Sequence, residues 1–390
     1  MRVLFVAPYL PTPGSGGRTR LINVMERTAR SHDVRLVAFA VAGQHPTDSP
    51  YPGVVVPAPG LRPRPGGARG RVGFYAERLL DRAPTFASYM ASPAMARAVV
   101  KTADEFRPDV TQFETTEMAQ YLPLVGGARR ALDLQDVSTR WMGRAGERTE
   151  TLQQRALLAL DHAKTKRYER RFARAADVVF VTSSVERAFL RTLSGVEAVE
   201  APNGVDTSAF VPVPEVAEDA KRVLFVGPLT SQANIQAMEW FAREVLPLLV
   251  RRVPEVQIDV VGTPAEVRWP GTIALVGGVD DVRPHLARAS VSIVPIRVGS
   301  GTRYKILEAL SMERAVVSTT VGAEGLGVRD REHLLLADDP GAFAAAITEL
   351  LGAPDLRAAL GRAGRAHVVE RFDWDGIVAV MERAWGNVVG

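Results

Sequence analysis

Residues 2–8 read RVLFVAP and residues 222–228 read RVLFVGP. This echo constrains the fold more than any other feature of the 390-residue chain. Each run is short, apolar and rich in β-branched and aromatic residues, as expected of a parallel strand buried on both faces. Each is followed by a loop and then a helical pattern. The two runs lie too far apart for a solenoid repeat, so they read as the first strands of two similarly built domains.

Both halves continue in the same rhythm. In the first, LINVMERTAR follows strand one, and DVRLVAFA, DVTQF, RALDLQD and DVVFVTS read as later strands. In the second, VQIDVVG, TIALVGG, VSIVPI and AVVSTT follow RVLFVGP. Strands alternating with helices imply parallel sheets joined by right-handed crossovers. The expected fold is α/β, with two doubly wound Rossmann-like domains facing a cleft. The chain turns at Asn203-Gly204 and then runs through prolines and acids to Lys221. That composition places the boundary near residue 205. The expected domains are 1–205 and 206–366, with the helical segment 367–390 packing back on the first and Trp374 and Trp385 as its anchors.

Composition narrows the chemistry. There is no cysteine, which excludes disulfides, zinc-thiolate sites and a cysteine nucleophile. The six histidines show no metal-ligand spacing. No metal and no cofactor are expected. No stretch reaches the roughly 18 apolar residues of a membrane span, and the first residues lack the pattern of a signal peptide. A cytoplasmic chain is expected. Charge is uneven: residues 1–205 hold 29 Lys and Arg against 20 Asp and Glu, the remainder 19 against 24. The basic first half, with RPRPGGARGR and TKRYERRFAR, suits peripheral contact with an anionic membrane face, or a merely solvated surface. In TKRYERRFAR the cations read as spread all around a helix. Nucleic acid is not an expected partner.

The stretch VPIRVGSGTRYKILEAL, 294–310, carries the densest chemistry. Gly299 and Gly301 permit close approach of a ligand to the backbone. Thr302 is a candidate N-cap, and amides at a helix start attract an anion. Arg303 and Lys305 add positive charge, so a phosphate or diphosphate is the natural guest. Glu308, three residues after Lys305, has two readings: a surface ion pair worth a few tenths of a kcal/mol, or an acceptor for ligand hydroxyls. In the first half, PTPGSGGRTR follows strand one, with Gly14, Gly16 and Gly17 in a βα turn and Arg18 beside them. A lone glycine loop is a weak signal.

The second half resembles the retaining glycosyltransferases of the GT-B fold, group 1 or family 4. The residues that carry the resemblance are VLFVGPLTSQANIQAMEWF, VPEVQIDVVG, and the run from VGGVDDVRPHL through GSGTRYKILEAL to VVSTTVGAEGL. APNGVDTSAF matches the family's interdomain turn. The resemblance implies a nucleotide-diphosphate sugar donor, an acceptor of unspecified type, and no protein nucleophile. It implies donor contacts at Gly227, Val279, Gly299, Ser300, Gly301, Thr302 and Glu308, the last as the second glutamate of an E-x7-E motif. Arg303 and Lys305 would face the diphosphate. Gly14, Gly16, Gly17 and Arg18 would approach the transferred sugar or its phosphates, and Asp136, in ALDLQDVSTRW, would join the catalytic group from the acceptor side. The chain departs from the pattern where Ser300 replaces the first glutamate, where Gln135 stands for a common histidine, and where PLTSQAN lacks the usual Arg and Lys. An epimerase on the same scaffold and a nucleotide-binding module without turnover are the alternatives. A dinucleotide-dependent oxidoreductase is disfavoured because strand two, ending VAFAVAG, carries no acid.

Overall fold

The computed structural model describes all residues except 13–15, 42–43, 60–80, 147–151, 264–268, 270 and 299–303. The chain divides into two units, Met1–Pro202 with Val378–Gly390, and Asn203–Ile377. The return to the first unit begins at Val378, not at His367. The helix Pro354–Phe372 belongs wholly to the second unit, because Val368 and Phe372 are buried in that unit's core. Trp374 and Trp385, at 1% and 0% exposure, fall on either side of the crossing.

The first unit is built on β1 (Arg2–Ala7), β2 (Asp33–Ala40), β3 (Gly53–Pro57), β4 (Val110–Glu114), β5 (Arg129–Asp133), β6 (Val178–Val181) and β7 (Val199–Glu200). Their order across the sheet is β3-β2-β1-β4-β5-β6-β7, all parallel. The second unit is built on β8 (Asp219–Val226), β9 (Gln257–Val261), β10 (Ile273–Gly277), β11 (Ala289–Val294), β12 (Ala315–Ser318) and β13 (Leu335–Leu336). Its order is β10-β9-β8-β11-β12-β13, also all parallel. Both sheets start in the middle, run outward to one edge, and return to the other side of the first strand. Each therefore has a topological switch point, between β1 and β4 and between β8 and β11. Ligands of open α/β sheets bind beyond the strand carboxyl ends at such points.

Burial on both faces explains the strand sequences. In β8, Val223 and Phe225 join a core with Trp240, Phe241 and Phe343. Leu224 points the other way, into a core with Ile306, Leu310 and Phe372. Period-two alternation between two apolar layers leaves no polar face to read.

In the first unit the helix Leu152–Ala175 shows a clean division. Thr165, Tyr168, Glu169, Phe172 and Ala173 are buried, while Lys166, Arg167, Arg170, Arg171 and Arg174 are exposed. The cations form one stripe rather than surrounding the helix, because the spacing of the buried residues places them on the opposite face.

Two glycines shape the second switch point. Gly227, just after β8, and Gly262, just after β9, hold φ of 156° and 149°. A Cβ at Gly262 would collide with the Gly227 carbonyl, so the two strand ends pack backbone to backbone. Gly262→Ala is expected to cost about 1–3 kcal/mol through this overlap. Thermal melting checks this, and an unchanged melting temperature would contradict the packing.

Candidate functional site

Lys305 lies in the first turn of the helix Tyr304–Ser311, which enters from the carboxyl end of β11. Its ammonium reaches across the switch point to β8. Nζ donates to Asn234 Oδ1 at 2.9 Å and stands 4.1 Å from the centroid of the Phe225 ring. Asn234 Nδ2 in turn donates to the Pro228 carbonyl at 2.8 Å. A Cβ at Gly227 would come within 2.7 Å of Lys305 Nζ and 2.8 Å of Asn234 Nδ2. Gly227 is therefore bare because the ammonium and the amide occupy its side-chain space. Asn234 comes from PLTSQAN, the stretch that lacks Arg and Lys. Nothing in that stretch, read alone, marks it as the source of a partner for Lys305.

Glu308 sits one turn further along, partly buried between Leu307 and Ala309. Burial pushes its carboxyl up to about 7, and the Lys305 charge pulls the other way. Lys305 and Glu308 do not form an ion pair; the ammonium donates to Asn234. Among the described residues no hydrogen-bond partner compensates the Glu308 carboxylate, an arrangement that costs stability. Val279, after β10, is 36% exposed. Gly299, Ser300, Gly301, Thr302 and Arg303 lie outside the described residues, as does Gly14.

The switch point of the first unit is polar and tightly bonded. Gly16 and Gly17 open the helix Gly16–Thr28, and a Cβ at Gly17 would collide with the Tyr9 hydroxyl. Arg18 stands over the Tyr9 ring, 5.9 Å from its centroid. Arg20, fully buried, donates from Nε to Asp133 Oδ2 at 2.7 Å. The loop after β5 is held from several sides. Asp133 Oδ1 accepts from the Gln135 amide at 3.1 Å, Glu186 Oε2 from the Val137 amide at 2.9 Å, and Glu169 Oε1 from the Ser138 amide at 2.7 Å. Burial pushes the Glu169 carboxyl up to about 7. Gln135 holds φ of 57°, a strained value for a non-glycine residue that such over-determination can sustain. Asp136 is partly buried and accepts from Thr182 Oγ1 at 3.5 Å. Arg20, which the sequence offered beside Arg18 as a contact for an anionic acceptor or as a solvated cation, is instead buried on Asp133. The sequence did not single out Glu114 or Gln112, whose polar groups sit on a strand that otherwise reads as apolar core.

Among the described residues no group of three or more His, Asp or Glu could hold a metal ion. No helix among them is long and apolar enough to cross a membrane.

The Glu308 account predicts an unusual stability effect. Its folded carboxyl holds a proton between about 4.5 and 7 that the unfolded chain has lost, so the group costs stability as pH rises through that window. Glu308→Gln should therefore raise stability at pH 8 by roughly 1–2 kcal/mol, allowing for partial exposure, and leave it unchanged near pH 4. Melting at the two pH values checks this; destabilisation at pH 8 would restore the ion-pair reading.

Residues 220–353 match the family "Glycosyl transferases group 1". The phosphatidyl-myo-inositol mannosyltransferase of Mycolicibacterium smegmatis is 30% identical over 223 residues, 53% of this chain and 56% of that protein. The match thus spans little more than half of that relative. Among solved structures, sucrose-phosphate synthase from Thermosynechococcus elongatus superposes with a TM-score of 0.69 at 17% identity, covering 99% of this chain and 98% of that one. Anabaena Alr3699/HepE in complex with UDP gives 0.67 at 14% identity, covering 99% of this chain and 100% of that one. Residues 220–353 are thus similar to the group 1 glycosyltransferases, and the two parallel-sheet Rossmann-like units have the GT-B fold.

Proposed function

We propose that the protein transfers a sugar from a nucleotide-diphosphate sugar to an acceptor with retained anomeric configuration. One observation carries the reading: a partly buried carboxylate with no hydrogen-bond partner among the described residues, Glu308, stands one turn from a fixed ammonium, Lys305, at a topological switch point. Ribose hydroxyls would supply the hydrogen bonds that Glu308 lacks. The Lys305 ammonium would stabilise the diphosphate, whose charge grows as the sugar departs. Arg303 and the amides of 299–302 would complete the anion site, Gly227 would let the donor approach the β8 backbone, and Val279 would border the base. The UDP complex of the HepE neighbour supports a nucleotide donor. A donor phosphate oxygen would take the acceptor proton, which accounts for retention without a protein nucleophile.

Glu308→Gln should weaken donor binding ten- to a hundredfold, the loss expected for one charged hydrogen bond of about 1.5–3 kcal/mol. Lys305→Ala should lower turnover more than affinity. Both are measured on a panel of nucleotide sugars, with the product anomer read by proton NMR. Wild-type kinetics in both variants would remove the donor site from this stretch. An inverted product would refute retention, and a product still carrying its nucleotide would indicate an epimerase.

The stripe Lys166, Arg167, Arg170, Arg171 and Arg174 supports peripheral attachment to an anionic membrane face, each cation contributing about 1 kcal/mol. The neighbouring helix Ser138–Gly146 adds Trp141, 52% exposed. Sedimentation with phosphatidylserine vesicles should show binding that Lys166→Glu with Arg170→Glu abolishes; equal binding by the variant would refute it.

A further inference from the structure

A chain of buried hydrogen bonds runs from the C-terminal helix to the first switch point. Trp385, on the helix Trp374–Val389, meets Phe5 and Phe180 edge-on. Its Nε1 donates to Gln112 Oε1 at 3.0 Å. Gln112 Nε2 donates to Glu114 Oε1 at 2.7 Å. Glu114 Oε2 lies 3.4 Å from Gln135 Nε2, and the Gln135 amide also bonds the Tyr9 side chain. Gln112 and Glu114 are 0% and 1% exposed, and Gln135 is partly exposed.

The direction of this chain is not free. An indole nitrogen can only donate. Gln112 must therefore turn its carbonyl to Trp385 and its NH2 to Glu114, and Glu114 Oε1 must accept. Only Oε2 has a choice. Ionised, it accepts from Gln135 Nε2, and Gln135 offers its carbonyl oxygen on the other side. Protonated, it donates to Gln135 Oε1, and Gln135 offers its NH2. A half-turn of the planar amide exchanges the two ends within the same space.

We propose that Trp385, Gln112 and Glu114 are positioning residues for Gln135, and that the proton on Glu114 decides which end of the Gln135 amide is presented beyond β5. With the proton in place, Gln135 donates to an acceptor oxygen of the bound substrate. This substrate role rests on the glycosyl-transfer reading above.

The surroundings favour the protonated form at neutral pH. Glu114 and Asp133 are register partners on adjacent strands. Burial first, then the Asp133 charge, push Glu114 up to about 8, against the pull of Gln112, Arg20 and Gln135. Asp133 is spent on Arg20. Tyr9 stays a phenol in this range, since burial and the charges of Glu114, Glu117 and Asp133 hold its proton. The raised carboxyl favours folding at low pH, and its contribution is lost as pH rises toward 8.

The test uses the whole protein labelled with 15N in glutamine side chains, followed from pH 6.5 to 9.5. The Gln135 NH2 resonances should titrate with a midpoint near pH 8, and Glu114→Gln, which cannot ionise, should abolish that titration. In parallel, the wild-type KM for GDP-mannose or UDP-glucose should rise about three- to tenfold across the same range, with a flat profile in the variant. Trp385→Phe removes the directing donor and should broaden or split the Gln112 and Gln135 amide signals. A Gln135 amide that does not titrate, or titrates equally in Glu114→Gln, overturns the proposal. A titrating amide with turnover but a pH-independent KM overturns the substrate role. A titrating amide without turnover of any nucleotide sugar upholds the positioning chain and counts against glycosyl transfer instead.

Discussion

The bond from Lys305 to Asn234 joins the two halves of the second switch point. One partner follows β11 and the other follows β8, the strands between which the sheet reverses its order. The ammonium fills the space that a side chain at Gly227 would need, and it lies on the Phe225 ring that β8 turns toward it. With the ammonium held there, Glu308 has no ion-pair partner among the described residues. The bond to Asn234 thus helps to hold a cation beyond the strand ends, one helical turn from that carboxylate.

The two units solve the same topological problem with opposite electrostatics. The second presents glycine backbone and an ammonium. The first packs Arg20, Asp133, Glu114 and Gln112 out of water at the ends of β4 and β5. Buried polar groups are tolerated only when each is bonded, and a buried ion pair is weak evidence for stability. Such a network instead fixes geometry: strained Gln135 at φ 57° is held by Asp133, and its loop by Glu186 and Glu169.

Much of the fold was legible in the sequence because parallel strands buried on both faces leave runs such as RVLFV that few other structures use. Two copies of that run implied two sheets. The placement of Lys305 beyond a strand end followed from the turn chemistry before it. What the sequence hid depends on contacts far apart in the chain. Asn234 meets Lys305 only because β8 and β11 are neighbours. Trp385 reaches Gln112 only because the last helix returns across the first unit. The crossing at Ile377 was misplaced from His367 because a continuous helical pattern does not mark where its buried face changes partners. The basic stripe was misread for a related reason, since the buried face of Leu152–Ala175 includes Thr165 and Glu169, which are polar.

The most direct measurement is a crystal structure with a nucleoside diphosphate bound to the second unit. The account predicts ribose hydroxyls within hydrogen-bond distance of Glu308 and a phosphate oxygen on Lys305 Nζ, with Asn234 retained or displaced by that phosphate. A nucleotide bound elsewhere, or bound here with Glu308 untouched and Lys305 turned away, would contradict it.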